Sequence, residues 1–164
     1  MRLSRAVVAS LIALAMASVF SGGLSAQNGT RPQDVTTSAD VYPGAQFGSC
    51  AFPINISSQG KGKTIVLPRG NMIFTSPGLD ATVTNLNDRT KQVSVNITGS
   101  FHVSTTSDGG SLFVVTGRNL LTDPFAGVVL AIGNFSFAFD ANGNLTQPLK
   151  MQGGTLTNLC ALLQ

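Results

Sequence analysis

The sequence predicts an all-β protein, an antiparallel β-barrel or β-sandwich of about eight strands, and three observations predict it. Apolar and polar residues alternate with a period of two along several segments, which is typical of strands that cover a core with one face. Turn signals rich in Gly, Asn and Ser separate these segments at short intervals. Val, Ile, Thr and Phe are plentiful, and strings of strong helix formers are rare.

Residues 1–26 have the features of a secretory signal peptide. Arg2 and Arg5 supply positive charge, and the uncharged apolar run 7–20 follows them. Small residues precede cleavage after Ser25 or Ala26. The run is shorter than the roughly 20 residues of a transmembrane helix, although an uncleaved anchor helix is the alternative. We therefore expect a secreted, extracellular protein that is not an integral membrane protein after cleavage.

Residues 27–46 are polar, lack apolar periodicity and contain Pro32 and Pro43. Such a segment is typical of a flexible N-terminal region, so we expect it to lie outside the folded unit. The remaining residues, 47–164, are predicted to form a single all-β domain, which is long enough to bury a core.

The clearest strand pattern covers residues 92–104, where the apolar residues occupy odd positions and the polar residues even ones. Gly99 interrupts the apolar series and predicts a bulge or a bend. Residues 79–83 alternate in the same way, so a hairpin across residues 87–90 is expected. Further along, residues 111–118 and 127–133 are apolar on both faces, which favours strands covered on both sides or lining a small closed barrel.

The segment NFSFAFDANGNLT, residues 134–146, resembles both a metal loop and a glycosylation segment at first sight. Its phenylalanines stand two apart and share one strand face, and Asn142–Gly143 predicts a two-residue hairpin turn. A calcium loop of the EF-hand kind ends in Glu, and this chain contains no Glu. The segment is therefore predicted to be a core strand that runs into a tight turn. The final residues, 158–164, suit either one helical turn or a last strand.

Two cysteines, Cys50 and Cys160, lie at the two ends of the predicted domain. In an exported protein a lone pair predicts one disulfide bond. The alternative is a reactive or metal-binding pair, but metal sites of this kind use closely spaced ligands such as Cys-x-x-Cys, which neither cysteine has.

Charge and motifs exclude several function classes. The whole chain has ten basic residues against seven acidic ones, and removal of Arg2 and Arg5 with the leader leaves eight basic residues. A nearly neutral surface gives no basis for binding nucleic acid. Phosphate loops, dinucleotide fingerprints and zinc signatures are missing from the sequence, so it predicts neither a cofactor nor a metal site.

His102 is the one histidine and the weak candidate for a polar site. It is predicted to lie on the wet face of a strand between Ser100 and Ser104. Same-face neighbours about 7 Å apart do not form a Ser-His-Asp triad by themselves, so we expect a surface histidine and no catalytic residues.

Two functional hypotheses remain open. The first is a non-enzymatic extracellular binding or surface-associated domain. The second is a small β-barrel carrier or enzyme for an apolar small molecule. For that second hypothesis the candidate lining residues are four phenylalanines that otherwise fill the core: Phe113, Phe135, Phe137 and Phe139.

Five stretches resemble secreted, two-cysteine, β-rich proteins that are common in actinobacteria: CAFPI (50–54), TGRN (116–119), GNFSF (133–137), DANGN (140–144) and GGTLTNLCAL (153–162). The likeness covers roughly residues 48–163. It implies export, one disulfide and a β fold. The group has no established activity, so the resemblance assigns no functional residue.

Overall fold

A computed structural model describes residues 31–44, 49–123 and 126–164. They form one sheet of nine antiparallel strands with almost no helix, which confirms the all-β prediction. The strands are β1 (Gln33–Val41), β2 (Ile54–Val66), β3 (Met72–Thr75), β4 (Asp80–Asn85), β5 (Gln92–Asn96), β6 (Gly99–Thr105), β7 (Ser111–Asp123), β8 (Gly127–Phe139) and β9 (Leu145–Asn158). A 3₁₀ turn (Pro68–Gly70) follows β2, and the helical turn α1 (Leu159–Leu162) follows β9.

The sheet is a meander in which two of the long strands are each broken into two pieces. Strands β3 and β4 both run antiparallel to β2, which pairs with β4 through residues 54–59 and with β3 through residues 63–66. Strands β5 and β6 continue the ladder on the far side of β4 and β3. The predicted hairpin across residues 87–90 is confirmed as the connection between β4 and β5.

The breaks in the two strands lie at the same place, around Ser76 and Gly99, because the sheet divides into two layers at this point. Ser76 is buried, and its Oγ lies 2.7 Å from the carbonyl oxygen of Ile97 and 3.2 Å from the amide nitrogen of Gly99, so it bridges the two broken strands. A side chain at Gly99 would collide with Asn119, whose amide would lie 2.5 Å from the added carbon. Beyond Gly117, β7 leaves the ladder with β6 and continues with β8 alone. The bend that Gly99 predicts is therefore a branch point.

Two layers leave the branch point, and the main core lies between them. The first layer consists of β1, β4, β5 and the first half of β2, and it contributes Ile54 and Val83. The second layer consists of β8, β9 and the last third of β7, and it contributes Val128 and Leu130. All four side chains are buried, because the apolar faces of the two layers point toward each other.

The disulfide bond is confirmed and closes one end of this core. Cys50 precedes β2, Cys160 lies in α1, and their Cα atoms are 5.3 Å apart. Leu159, which lies in α1, and Leu163, which follows it, are also buried in the same cluster. The final residues therefore form a helical turn that packs onto the core, which was one of the two expected outcomes.

Strand β8 is covered on both faces, as the apolar run 127–133 predicts. Val128 and Leu130 face the core between the layers, whereas Val129, Ala131 and Phe135 face a second cluster on the opposite side. Each of these five residues is buried. A strand that is apolar on both faces thus occupies a position in the sheet where both faces are removed from water.

The barrel alternative is wrong, because the sheet is not closed. In the described part of the chain, β1, β5 and β9 each pair with a single neighbouring strand. The physical reason is the branch at Ser76 and Gly99: it turns the first layer over the second, so the outer strands do not meet edge to edge.

The predicted flexible segment 27–46 contains a strand instead. Its residues 33–41 form β1, which pairs with β2 from Gln33↔Gly62 to Val41↔Ile54. The segment looks like a loop in sequence because one face of β1 is entirely polar and Val35 and Ala39 on the other face are only half-buried. Residues 27–30, 45 and 46 and the predicted signal peptide lie outside the described residues.

Across the described ranges, the structure contains no helix that is long and apolar enough to cross a membrane.

Candidate functional site

His102 lies at an exposed position on β6. Its direct cross-strand neighbours are Ile73 on β3 and Val114 on β7, and Ser100 and Ser104 flank it along the strand. The residues described here contain no group of three or more His, Cys, Asp or Glu side chains that could hold a metal ion. The fold therefore surrounds His102 with apolar and hydroxyl side chains and brings no carboxylate to it as a cross-strand partner.

The structure brings three of the four candidate lining phenylalanines together. Phe113 stacks on Phe137 with 4.8 Å between ring centroids, and Phe139 meets both rings edge to face at 5.7 and 5.8 Å. Phe135 is fully buried in the second core cluster, against which Phe137 also packs. Because the three rings contact one another, they fill the space that a carrier would leave open for its ligand.

A depression of about 260 Å³ lies beside the ring trio, at the end of the sheet. Phe113 and Phe139 form one side of it, and Gly109, Ser111 and the turn residues 140–143 form the other. It is a surface feature between two hairpin turns, and it does not extend into the core between the layers.

The turn after β8 differs from the predicted two-residue hairpin. Asp140 and Asn144 share a backbone hydrogen bond of 2.9 Å, so the loop contains three residues, 141–143. The Asp140 carboxylate accepts hydrogen bonds from the amides of Asn142 (2.8 Å) and Asn144 (2.9 Å) and from Asn144 Nδ2 (2.8 Å). This capture of local donors favours the longer loop, with Gly143 in the left-handed region at φ 79°. The hydrogen bonds that the Asp140 carboxylate accepts therefore stabilise the turn.

Asp140 should titrate below the ordinary range for Asp. Its pKa is lowered from 3.8, chiefly by the side-chain hydrogen bond from Asn144 and then by backbone amides of the turn. Stabilisation from a depressed pKa is present above the unfolded-state value and is lost as pH falls through the folded-state value. We expect the carboxyl carbon of Asp140 in an NMR titration to show a midpoint below 3.8, and Asn144→Ala to move it upward.

Asn142→Ala is the matched control for that titration, since Asn142 contacts the carboxylate through its backbone amide, which alanine retains. An Asp140 midpoint that does not move in Asn144→Ala, or that moves as far in Asn142→Ala, contradicts the assignment of the pKa shift to the Asn144 side chain.

The outer face of the first layer is a continuous polar surface, here called the polar face. Where β1, β2, β4 and β5 lie side by side, three successive rows of four residues point outward, and all twelve residues are polar. The rows are Thr36, Gln59, Asp80, Asn96; then Ser38, Ser57, Thr82, Ser94; then Asp40, Asn55, Thr84, Gln92. All are exposed or half-buried, and the two charged members are both Asp.

Cross-strand hydrogen bonds order the side chains of the polar face. Asn55 Nδ2 donates to Asp40 Oδ1 at 2.7 Å, and Asn96 Nδ2 donates to Asp80 Oδ1 at 3.0 Å. The hydroxyl groups of Thr82 and Ser94 lie 2.8 Å apart. Asn55 Nδ2 also donates to Ser38 Oγ at 3.0 Å, and Asn96 Nδ2 also lies 3.5 Å from the carbonyl oxygen of Leu79, so both amides use their donors within the protein.

A shallow cleft of about 360 Å³ lies on this face. Side chains of Ser57, Gln59, Asp80 and Thr82 line it together with Ser58. Gly60 and Gly78 complete the lining, because a Cβ on Gly60 would lie 2.2 Å from the carbonyl oxygen of Gly78. The close approach of the two backbones leaves a gap in the layer of side chains, and polar groups converge around it.

Sequence reasoning missed the polar face. Its residues come from four strands, and their rows depend on a register that the sequence does not specify. The available signal was the alternation of small polar residues at 36–40, 55–59, 80–84 and 92–96. Searches of family models, curated proteins and solved structures find no match to this chain.

Proposed function

We propose that the protein is an exported, non-enzymatic binding domain that binds hydroxyl-rich ligands, such as neutral oligosaccharides, on its polar face. The observation that carries the proposal is the cleft on that face, around which Ser57, Gln59, Asp80 and Thr82 converge. Export is supported by the leader-like residues 1–26 and by the Cys50–Cys160 disulfide, which is typical of an oxidising compartment.

The side-chain chemistry of the cleft suits sugar hydroxyl groups, which both donate and accept hydrogen bonds. Asp80 Oδ1 is held by Asn96, and the carboxylate has additional acceptor sites. Gln59 adds an exposed amide, and Ser57 and Thr82 add hydroxyls that can take either role. Anionic polymers have less to recognise, because the polar face has no basic residue.

The shape of the polar face favours an extended ligand. Four strands spaced about 4.8 Å apart give a platform about 14 Å wide, so several sugar units can contact it at once. The platform is largely exposed and carries no aromatic ring for stacking. Each unit therefore contributes little, and affinity is expected to increase with the number of units bound.

The apolar carrier is the weaker candidate. It requires an open lining around the phenylalanines, whereas the rings of Phe113, Phe137 and Phe139 contact one another and Phe135 is fully buried. The depression beside them is bordered largely by turn residues.

A two-dimensional NMR titration tests the proposal. The disulfide-bonded protein is mixed with hexasaccharides of β-1,4-glucose, α-1,4-glucose and β-1,4-N-acetylglucosamine at up to about 10 mM, a range that covers weak complexes. With at least one of them, shifts should occur at polar-face residues and saturate. Asp80→Ala and Thr82→Val should each weaken that binding at least threefold.

Thr155→Val is the matched control, because Thr155 is an exposed threonine on β9, outside the polar face. It should bind like the unsubstituted protein. Absence of shifts with all three sugars, or shifts confined to the other layer, would refute the proposal. Shifts of the Phe113, Phe137 and Phe139 signals with a fatty acid would favour the carrier instead.

A further inference from the structure

Strand β9 is the longest exposed edge in the described sheet. It pairs with β8 on one side, and all of its residues from Met151 to Asn158 are exposed. An unpaired strand edge presents a row of backbone N–H and C=O groups that can pair with another strand. We call residues 151–158 the open edge.

The open edge lacks the protection that the other edges have. Strand β1 carries Asp34 and Asp40, and Asp34 forms an ion pair with Lys61 at 3.0 Å. Strand β5 is only five residues long. Within β9 the protecting residues Pro148 and Lys150 both precede the open edge, whose sequence MQGGTLTN contains no charge and no proline.

The side chains of the open edge are apolar on one face. Met151 pairs with Phe135 and Leu156 pairs with Ala131, so both extend the face that carries the second core cluster. They are 54% and 44% exposed, although such side chains usually lie inside. A further strand beside β9 would cover them.

Gly153 is a second unusual feature of the open edge. Its neighbour Gly154 has a positive φ of 135° and would collide with the Ile132 carbonyl oxygen if it had a Cβ. Gly153 has neither constraint, because an added Cβ would meet no atom within 4 Å. A glycine inside a strand often marks the close approach of another backbone. Gly133 on β8 approaches the Gly153 carbonyl group, and the side on which a Cβ of Gly153 would project is open.

We propose that the open edge pairs with the open edge of a second copy of this chain, antiparallel and across a twofold axis. Pairing of identical edges about such an axis is self-complementary. An uncharged segment meets its own copy without like-charge repulsion, and the formal net charge of +3 for the whole chain opposes association only weakly. The two apolar patches then lie on the same face of one continuous sheet.

The size of the contact predicts a weak dimer. Eight residues form a strip about 27 Å long, and a strip about 10 Å high gives roughly 270 Å² per copy. The total of roughly 540 Å² is below the 1,200–2,000 Å² typical of stable complexes, so we expect a concentration-dependent equilibrium between monomer and dimer.

Sedimentation equilibrium from about 1 μM to about 1 mM protein, a range that spans moderate to weak dissociation constants, tests the proposal. The disulfide-bonded protein should change from monomer to dimer across this range. Leu156→Lys, which places a charge on the open edge, should raise the dissociation constant at least tenfold. Thr146→Lys introduces the same side chain into β9 before Pro148 and should leave dimerisation unchanged.

Hydrogen exchange of the unsubstituted protein provides a readout that does not depend on any variant folding. Backbone amides in residues 151–158 should become more protected as protein concentration rises, while those of β1 should not. A monomer at every concentration, equal dimerisation of Leu156→Lys and the unsubstituted protein, or concentration-dependent protection of β1 in place of β9 would each overturn the proposal.

Discussion

Replacement of both cysteines by alanine should lower the free energy of unfolding by about 4 kcal/mol. The bond closes a loop of 110 residues, and the chain-entropy model assigns about 4.7 kcal/mol to a loop of about 100 residues, less any strain in the native state. Cys50 and Cys160 are also buried in the core between the layers, so the truncated side chains lose packing there. Urea unfolding of Cys50→Ala/Cys160→Ala measures the loss.

Reduction of the native bond is the control for this double substitution. Reduced protein without substitutions should unfold at a urea concentration close to that of Cys50→Ala/Cys160→Ala, and reductant should not affect the double variant. A loss below about 1 kcal/mol would show that the described strands hold the two layers together without the cross-link.

Gly133→Ala is expected to destabilise the protein by about 3 kcal/mol or more. Gly133 has a φ of 129°, and an added Cβ would lie 2.1 Å from the carbonyl oxygen of Gly153 on the paired strand. Gly133 and the Gly153 carbonyl group lie on the paired backbones in the middle of β8 and β9. The clash can therefore be relieved only if the two strands separate. Strained backbone of this kind costs 1–3 kcal/mol before any clash is counted, which is consistent with a total of about 3 kcal/mol.

Gly153→Ala is the matched control, because the residue lies on the paired strand and its Cβ would meet nothing within 4 Å. Its stability in urea should stay within about 0.5 kcal/mol of the unsubstituted protein. Equal losses for the two alanine variants would contradict the close approach of the β8 and β9 backbones.

Much of the local structure could be predicted because strand alternation reports burial directly. Leu79, Ala81 and Val83 share one face and are all buried, as their spacing predicts. The turn after β8 was located correctly but its length was not, because a two-residue turn and a three-residue loop have similar sequences. The hydrogen bonds that the Asp140 carboxylate accepts from the side chain and the backbone amide of Asn144 select the three-residue loop.

The candidate site could not be predicted to the same extent. His102 and the phenylalanines were singled out by residue type, and the fold separates His102 from carboxylate cross-strand partners and packs three of the rings against each other. The polar face was missed because each of its strands, taken alone, shows only the ordinary wet side of an amphipathic strand. A surface of twelve aligned polar side chains exists only once four strands adopt one register.

The sequence alone determined the all-β class, the inward side chains of clearly alternating strands such as β4, and the pairing of Cys50 with Cys160. These follow from short-range periodicity and from there being only two cysteines. The tertiary structure decided whether the sheet closes. Ser76 and Gly99 allow the two layers to separate at one point, and the apolar faces of the layers then cover each other. That packing joins residues far apart in sequence. Which surfaces remain exposed to solvent, including the polar face and the open edge, therefore cannot be predicted from any single segment.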